Sequence, residues 1–181
     1  MQRAERERFE RRNMTVVWVL VVTALLVSDV AGSRQDLEKH EISRGLCDEN
    51  WFYFSPLNSC YQFFSTKKTW AAAEDFCNGD ERCGQLASVN SEEHNIFISN
   101  VVTIVDKNKP MAWIGLNDIC KEGNFTWVDG SLYRYSKWAK NEPNNDGGKE
   151  DCVNIHRFND LTWNDMPFDE KDGFVCSYKL C

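Results

Sequence analysis

The sequence lacks the short motifs that mark many enzymes. It contains no glycine-rich phosphate loop, and its three histidines, His40, His94 and His156, share no metal-ligand spacing. A Cys–His nucleophile pair is not favoured, because a cysteine held in a disulfide bond has no free thiolate. We therefore expect each histidine to lie on the surface, and we predict a protein that is not an enzyme.

Positive charge and repetitive sequence are also scarce. Lys and Arg number 21 against 28 Asp and Glu, which gives a net charge of −7. A nucleic-acid-binding domain normally carries a basic face, so nucleic acid is not an expected partner. There is no collagen-like repeat, low-complexity tract or internal repeat, and 181 residues suffice for one domain with its own core.

Long hydrophobic runs are absent as well. The main apolar run covers residues 16–27 and is interrupted only by Thr23, whereas a membrane-spanning helix needs about 20 residues. Arginine-rich residues precede this run, and Val30, Ala31 and Gly32 supply small residues after it. The layout is typical of a cleaved signal peptide over residues 1–32 and predicts secretion. The alternative is a type II membrane anchor, with the arginines held inside the cell.

Cysteine, in contrast, is abundant. The eight cysteines are an even number and a high one for an intracellular protein, so they indicate disulfide bonds and an oxidising compartment. The cysteine-rich part begins at Cys47, and we assign residues 47–181 to the folded domain. Residues 33–46 form a polar neck that is too short for the three or four heptads of a coiled coil.

The pattern from Cys47 onward predicts two helices and many short strands. Aromatic runs at 51–54 and 61–64, joined by a turn at 55–59, predict a hairpin. Thr69 and Ser91 are candidate N-caps of two helices, the first through Asn78 and the second closed by Pro110. The predicted helix faces are Trp70, Ala73 and Cys77 in the first helix and Phe97, Val101 and Ile104 in the second. Further strands are predicted at 111–116, 125–128, 151–155, 161–163 and 173–178, which indicates the α+β class.

Acidic and amide side chains are concentrated between residues 141 and 165. The stretch contains Glu142, Asn144, Glu150, Asn164 and Asp165, and Gly147 and Gly148 permit a tight turn within it. Ca²⁺ takes six to eight oxygen ligands, so a cluster of carboxylate and amide oxygens suits it. A solvated polar loop is the alternative, and the stretch by itself leaves both interpretations open.

Several motifs together resemble the C-type lectin domain family over about residues 47–181. They are Trp113-Ile114-Gly115-Leu116, Glu142-Pro143-Asn144, Trp163-Asn164-Asp165, and Cys77 paired with Cys176. The resemblance implies an α+β double-loop domain with two helices, short antiparallel sheets and a long Ca²⁺-binding loop. It also implies that the chain termini meet in one small sheet. Pro143 is expected in a cis peptide bond.

The resemblance implies two Ca²⁺ sites, of which one binds sugar. The sugar-binding site would use Glu142, Asn144, Glu150, Asn164 and Asp165 as metal ligands. A weaker second site would use Asp118, Glu122, Asn145, Glu150 and Asp151, where Asn145 replaces an acid.

The chemistry of the first site also favours sugar. A hydroxyl bound to Ca²⁺ still has a hydrogen to donate to a carboxylate and a lone pair that an amide NH₂ can fill. Glu142 with Asn144, and Glu150 with Asn164, are two such pairs for two adjacent hydroxyls. The Glu-Pro-Asn order resembles mannose-type members of the family. The expected partners are therefore glycans bearing mannose, N-acetylglucosamine or fucose, with membranes reached only through such glycans.

The cysteines depart from the family pattern. We predict Cys47–Cys60, which resembles the long form of the domain, and Cys77–Cys176. The family partner of Cys152 is missing, so Cys120–Cys152 and Cys83–Cys181 are tentative predictions, and these cysteines are alternatively intermolecular. Asn124, in Asn-Phe-Thr, is the expected glycosylation site. The alternative function is a C-type lectin-like protein that uses its Ca²⁺ loop for a non-sugar ligand, which would be ice, mineral or a protein partner.

Overall fold

The computed structural model describes residues 46–79, 84–155 and 161–180. The predicted signal peptide and almost all of the neck lie outside these ranges, as do Cys83, Cys181, His40 and His156. Within the described ranges, no helix has the length and apolar character needed to cross a membrane.

The described residues from Cys47 onward form helices and strands that follow the predicted α+β pattern. The helices are α1 (Trp70–Asn78) and α2 (Glu92–Val105). The strands are β1 (Phe52–Phe54), β2 (Ser59–Lys68), β3 (Gln85–Leu86), β4 (Ala112–Asn117), β5 (Thr126–Trp127), β6 (Glu150–Ile155), β7 (Trp163–Pro167) and β8 (Asp172–Lys179). The strand predicted at residues 161–163 was misplaced, because β7 begins at Trp163 and continues to Pro167.

The strands join in one sheet of order β1-β2-β8-β4-β6-β7, with β3 beside β8 and β5 beside β4. All pairs are antiparallel except β4 with β8, which is parallel. The first strand, β1, and the last strand, β8, therefore flank the same strand, β2, so the two ends of the described domain lie close together, as the resemblance implied. Residues 128–149, between β5 and β6, contain little regular structure and form the long loop.

Both helices begin at the predicted caps. The Thr69 and Ser91 hydroxyls accept hydrogen bonds from the backbone N–H groups of Ala72 and His94, at 3.4 and 3.1 Å. The first helix buries the three predicted residues. In α2 the prediction was wrong in part, because Phe97 is half-buried and Ile104 is 59 % exposed. The buried face of α2 is formed by His94, Asn95, Ile98, Ser99, Val101 and Val102.

The prediction of a surface position for His94 was wrong. Its side chain is fully buried and stacks on Phe54, with ring centroids 4.7 Å apart. It also meets the edge of Tyr61 at 5.1 Å, and its Nδ1 accepts a hydrogen bond from the Asn90 backbone. Because Nδ1 accepts, the neutral imidazole carries its proton on Nε2, which is buried with no hydrogen-bond partner among the described residues.

Two of the predicted disulfide bonds are formed, Cys47–Cys60 and Cys77–Cys176. The predicted Cys120–Cys152 bond is not formed in this structure, where both residues are free thiols. Cys120 lies exposed in the turn after β4, whereas Cys152 is buried in β6 among core residues. The predicted Cys83–Cys181 bond lies outside the described residues.

Candidate functional site

Asp165 in strand β7 holds the long loop against the sheet. It is 1 % exposed, and it accepts hydrogen bonds from the backbone N–H groups of Asn144 and Asn145, at 3.1 and 2.8 Å. Its strand pairs with β6, where Asp165 lies opposite Val153. The carboxylate is therefore fixed by the sheet on one side and by two loop amides on the other.

Glu142 lies directly before the bend that brings the loop to Asp165. The Glu142–Pro143 peptide bond is cis, as predicted. Burial raises the pKa of the Glu142 carboxyl, and the nearby Asp165 and Glu150 carboxyls raise it further, while the Asn144 side chain partly offsets them. The Glu142 Oε2 atom is buried with no hydrogen-bond partner among the described residues. A buried acceptor of this kind is costly unless a cation or a donor satisfies it.

Glu150 completes the group from the other end of the loop. It is the first residue of β6 and is 9 % exposed. One carboxylate oxygen accepts from the Asp146 backbone N–H at 2.8 Å, within the turn that Gly147 and Gly148 make at positive φ. Burial raises the pKa of Glu150, and the charges of Asp165 and Asp146 also raise it.

Four of the five ligands predicted for the first site are thus interacting neighbours: Glu142, Asn144, Glu150 and Asp165. Asn164, the fifth, is half-buried beside Asp165 in β7 and lies opposite Asn154 of β6.

The residues predicted for a second site adjoin this group. Asp118 is 2 % exposed, one of its oxygens accepts from the Gly123 N–H at 2.8 Å, and its Oδ1 is buried with no partner among the described residues. Burial raises the pKa of Asp118, and the charges of Asp151 and Asp165 add to the rise. Asn145 donates a hydrogen bond from its side-chain amide to the Glu122 carboxylate.

These observations test whether the donor set suits a cation. Every predicted ligand offers oxygen, each candidate site contains one buried carboxylate oxygen without a partner, and like charges raise the carboxyl pKa values. Hard oxygen donors of this kind fit Ca²⁺. In the part of the chain that the structure describes, no three His, Cys, Asp or Glu side chains are close enough to hold a metal by themselves. Binding would therefore need the amide oxygens in addition to the carboxylates.

Sequence reasoning missed the residues behind the site. Asn95 of α2 is fully buried, and its amide contacts both Leu161 and Trp163, just before Asn164. One signal could have identified Asn95. It is a polar residue three positions before Ile98, and this spacing places it on the apolar face of the helix.

Comparisons with known proteins agree with the fold and place the chain in a family. The family model for the lectin C-type domain matches residues 66–178. A lectin of Pleurodeles waltl is 36 % identical over 121 residues, which cover 67 % of this chain and 70 % of that protein. The chain therefore belongs to the C-type lectin domain family, whose lectins are non-enzymatic carbohydrate-binding proteins.

Solved structures extend the comparison. The C-type carbohydrate-recognition domain of cow CD23, determined with a GlcNAc2Man3 oligosaccharide, superposes with a TM-score of 0.63 at 33 % identity. The match covers 75 % of this chain and 98 % of that one. A calcium-independent type II antifreeze protein superposes with a TM-score of 0.65 at 26 % identity, over 74 % of this chain and 94 % of the other. The same fold thus carries more than one kind of ligand.

Proposed function

We propose that this chain is a secreted, calcium-dependent lectin that binds mannose-type sugars through the loop around Glu142. The observation that supports this most strongly is the meeting of Glu142, Asn144, Glu150 and Asp165, with the Glu142 Oε2 atom buried and unpartnered. Carboxylate and amide oxygens are donors that Ca²⁺ prefers, and the same groups can form hydrogen bonds with a sugar hydroxyl.

The proposed mechanism assigns each acid–amide pair to one sugar hydroxyl. When bound, Ca²⁺ supplies coordination positions for two neighbouring hydroxyl oxygens. The Glu142 carboxylate accepts the hydrogen of one hydroxyl, and the Asn144 amide donates to the same oxygen. Glu150 and Asn164 do the same for the second hydroxyl. Asp165 holds the Asn144 backbone and orients the first pair.

The order of acid and amide determines which sugars fit. Mannose, N-acetylglucosamine and glucose each carry two neighbouring equatorial hydroxyls, whose hydrogens and lone pairs have the same geometry. Fucose offers an equivalent pair of hydroxyls. Glu142 before Asn144 resembles the mannose-type order, and the cow CD23 domain that was solved with a mannose-containing oligosaccharide is similar to this chain at 33 % identity.

The second candidate function is binding of a non-sugar ligand such as ice, a mineral or a protein. The similarity to a calcium-independent antifreeze protein favours it. That function does not require both acid–amide pairs, which this chain retains at Glu142 with Asn144 and Glu150 with Asn164. The two functions are distinguished by whether the chain binds mannose in the presence of Ca²⁺.

The proposal extends to the organisation of the whole chain. Residues 1–32 are a cleaved signal peptide, 33–46 a neck and 47–181 the lectin domain, with a type II membrane anchor as the alternative. Asn124, which is exposed, carries N-linked glycan. A single open site makes few contacts, so monosaccharide affinity is on the order of millimolar and homo-oligomers supply avidity.

Calorimetry tests the proposed site. Wild type is expected to bind Ca²⁺ and then methyl mannoside only in its presence. Asn164→Ala removes one metal ligand and one sugar donor, so both affinities should fall at least ten-fold. Asn108→Ala, in the exposed turn between α2 and β4, is the matched control and should bind like wild type. Mannoside binding that survives a chelator, or equal Ca²⁺ affinity in Asn164→Ala, would contradict the proposal.

A further inference from the structure

The segment that carries Asn164 and Asp165 is attached to helix α2 through one buried amide. The Nδ2 group of Asn95 donates to the Leu161 carbonyl at 2.9 Å, and its Oδ1 accepts from the Trp163 indole N–H, also at 2.9 Å. The orientation is fixed by chemistry, because an indole only donates and a carbonyl only accepts. Asn95 and Trp163 are both fully buried.

Trp163 in turn attaches the long loop to strand β7. Its backbone N–H donates to the Lys137 carbonyl at 2.7 Å, and its carbonyl accepts from the Ala139 N–H at 2.9 Å. The Ala139 carbonyl then accepts from the Glu142 N–H at 3.1 Å. A displacement of Trp163 would therefore move Glu142 of the long loop together with Asp165 of β7.

The backbone conformation of Leu161 gives a second reason for the Asn95 side-chain amide to be needed at this position. Its backbone lies in the left-handed region, at φ +56°, which is unfavourable for a residue with a side chain. The bond from Asn95 holds the Leu161 carbonyl in this conformation immediately before the strand that bears the site.

We infer that Asn95 is a positioning residue for the Ca²⁺ and sugar site, acting through Leu161 and Trp163 without contacting either ligand. This inference rests on the proposed function only for its binding readout. The structural part of the inference is that the long loop becomes less ordered when the Asn95 side-chain amide is removed, whatever ligand the loop binds.

Asn95→Leu removes both hydrogen bonds at similar volume. Asn95→Gln is the milder variant, because it keeps both the amide donor and the amide oxygen on a side chain that is one methylene longer. Ser99→Ala is the matched control: Ser99 is buried one turn later on α2, and its hydroxyl has no partner among the described residues. All three are compared with wild type by hydrogen exchange with and without Ca²⁺, and by calorimetric titration with Ca²⁺.

In Asn95→Leu, the amides of Ala139, Glu142, Asn144 and Asn145 should lose about ten-fold protection while the β2–β8 amides keep theirs. The Kd for Ca²⁺ should rise about ten-fold, with a smaller rise in Asn95→Gln and none in Ser99→Ala. Equal loss of protection throughout the domain, or unchanged loop protection in Asn95→Leu, would overturn the inference. If wild type binds no Ca²⁺ or sugar, the proposed function fails, and loop exchange alone decides the role of Asn95.

Discussion

Burial of His94 makes the stability of the domain depend on pH in a defined window. Burial lowers the pKa of the His94 imidazole to about 4, and the charge of Asp129 offsets this only in part. An unfolded histidine titrates near 6.5, so the unfolded chain takes up this proton first as the pH falls. The contribution of neutral His94 is therefore complete above about pH 6.5 and is lost progressively down to about pH 4.

The size of this effect follows from the pKa difference. A depression from 6.5 to about 4, at about 1.4 kcal/mol per unit, corresponds to about 3 kcal/mol of stability lost across the window. The carboxyl groups with raised pKa, such as Glu142 and Asp118, act in the opposite direction, because the folded state binds their protons more readily. Only a comparison with a His94 variant isolates the imidazole.

His94→Asn is the suitable variant, since its amide oxygen can replace Nδ1 as the acceptor for the Asn90 N–H. Urea unfolding of both proteins, followed by tryptophan fluorescence in chelator, gives the free energy of unfolding at pH 7.5, 6, 5 and 4. The variant is expected to be less stable at pH 7.5, and the difference should shrink by about 2–3 kcal/mol at pH 4. A constant difference across this range, or a His94 NMR titration near pH 6.5, would refute the burial argument.

Two further predictions concern packing and the free thiols. Gly115→Ala should lower the free energy of unfolding by about 1–3 kcal/mol, because the added Cβ would lie 2.7 Å from both the Leu86 carbonyl oxygen and a Val128 methyl; an unchanged urea midpoint would contradict this. In native protein Cys120 should react with a maleimide. Cys152, whose pKa burial raises to about 12, should react only after unfolding, and the reverse order found by peptide mapping would be contrary evidence.

Local signals explain what could be predicted from the sequence. The caps at Thr69 and Ser91 act within one helical turn, so a short window of sequence contains all the necessary information. The Cys47–Cys60 and Cys77–Cys176 bonds followed from the family resemblance, and the structure contains both.

The errors arise where contacts distant in sequence decide the outcome. The buried face of α2 contains His94 and Asn95, which are polar, and apolar periodicity alone favoured Phe97 and Ile104 instead. Asn95 is satisfied by residues 66 and 68 positions away, which no local pattern indicates. The grouping of Glu142 with Asn144, Glu150 and Asp165 could be predicted because the motifs of this sequence match those of the family in order and spacing.

The most direct test of the proposed function is elution from immobilised sugars. Wild type should be retained on mannose-agarose in Ca²⁺ and released by chelator, while galactose-agarose retains little. The double variant Glu142→Gln with Asn144→Asp reverses the acid–amide order and should shift retention towards galactose. Retention of wild type on mannose-agarose in chelator, or failure to bind mannose in Ca²⁺ by folded protein, would contradict calcium-dependent mannose binding.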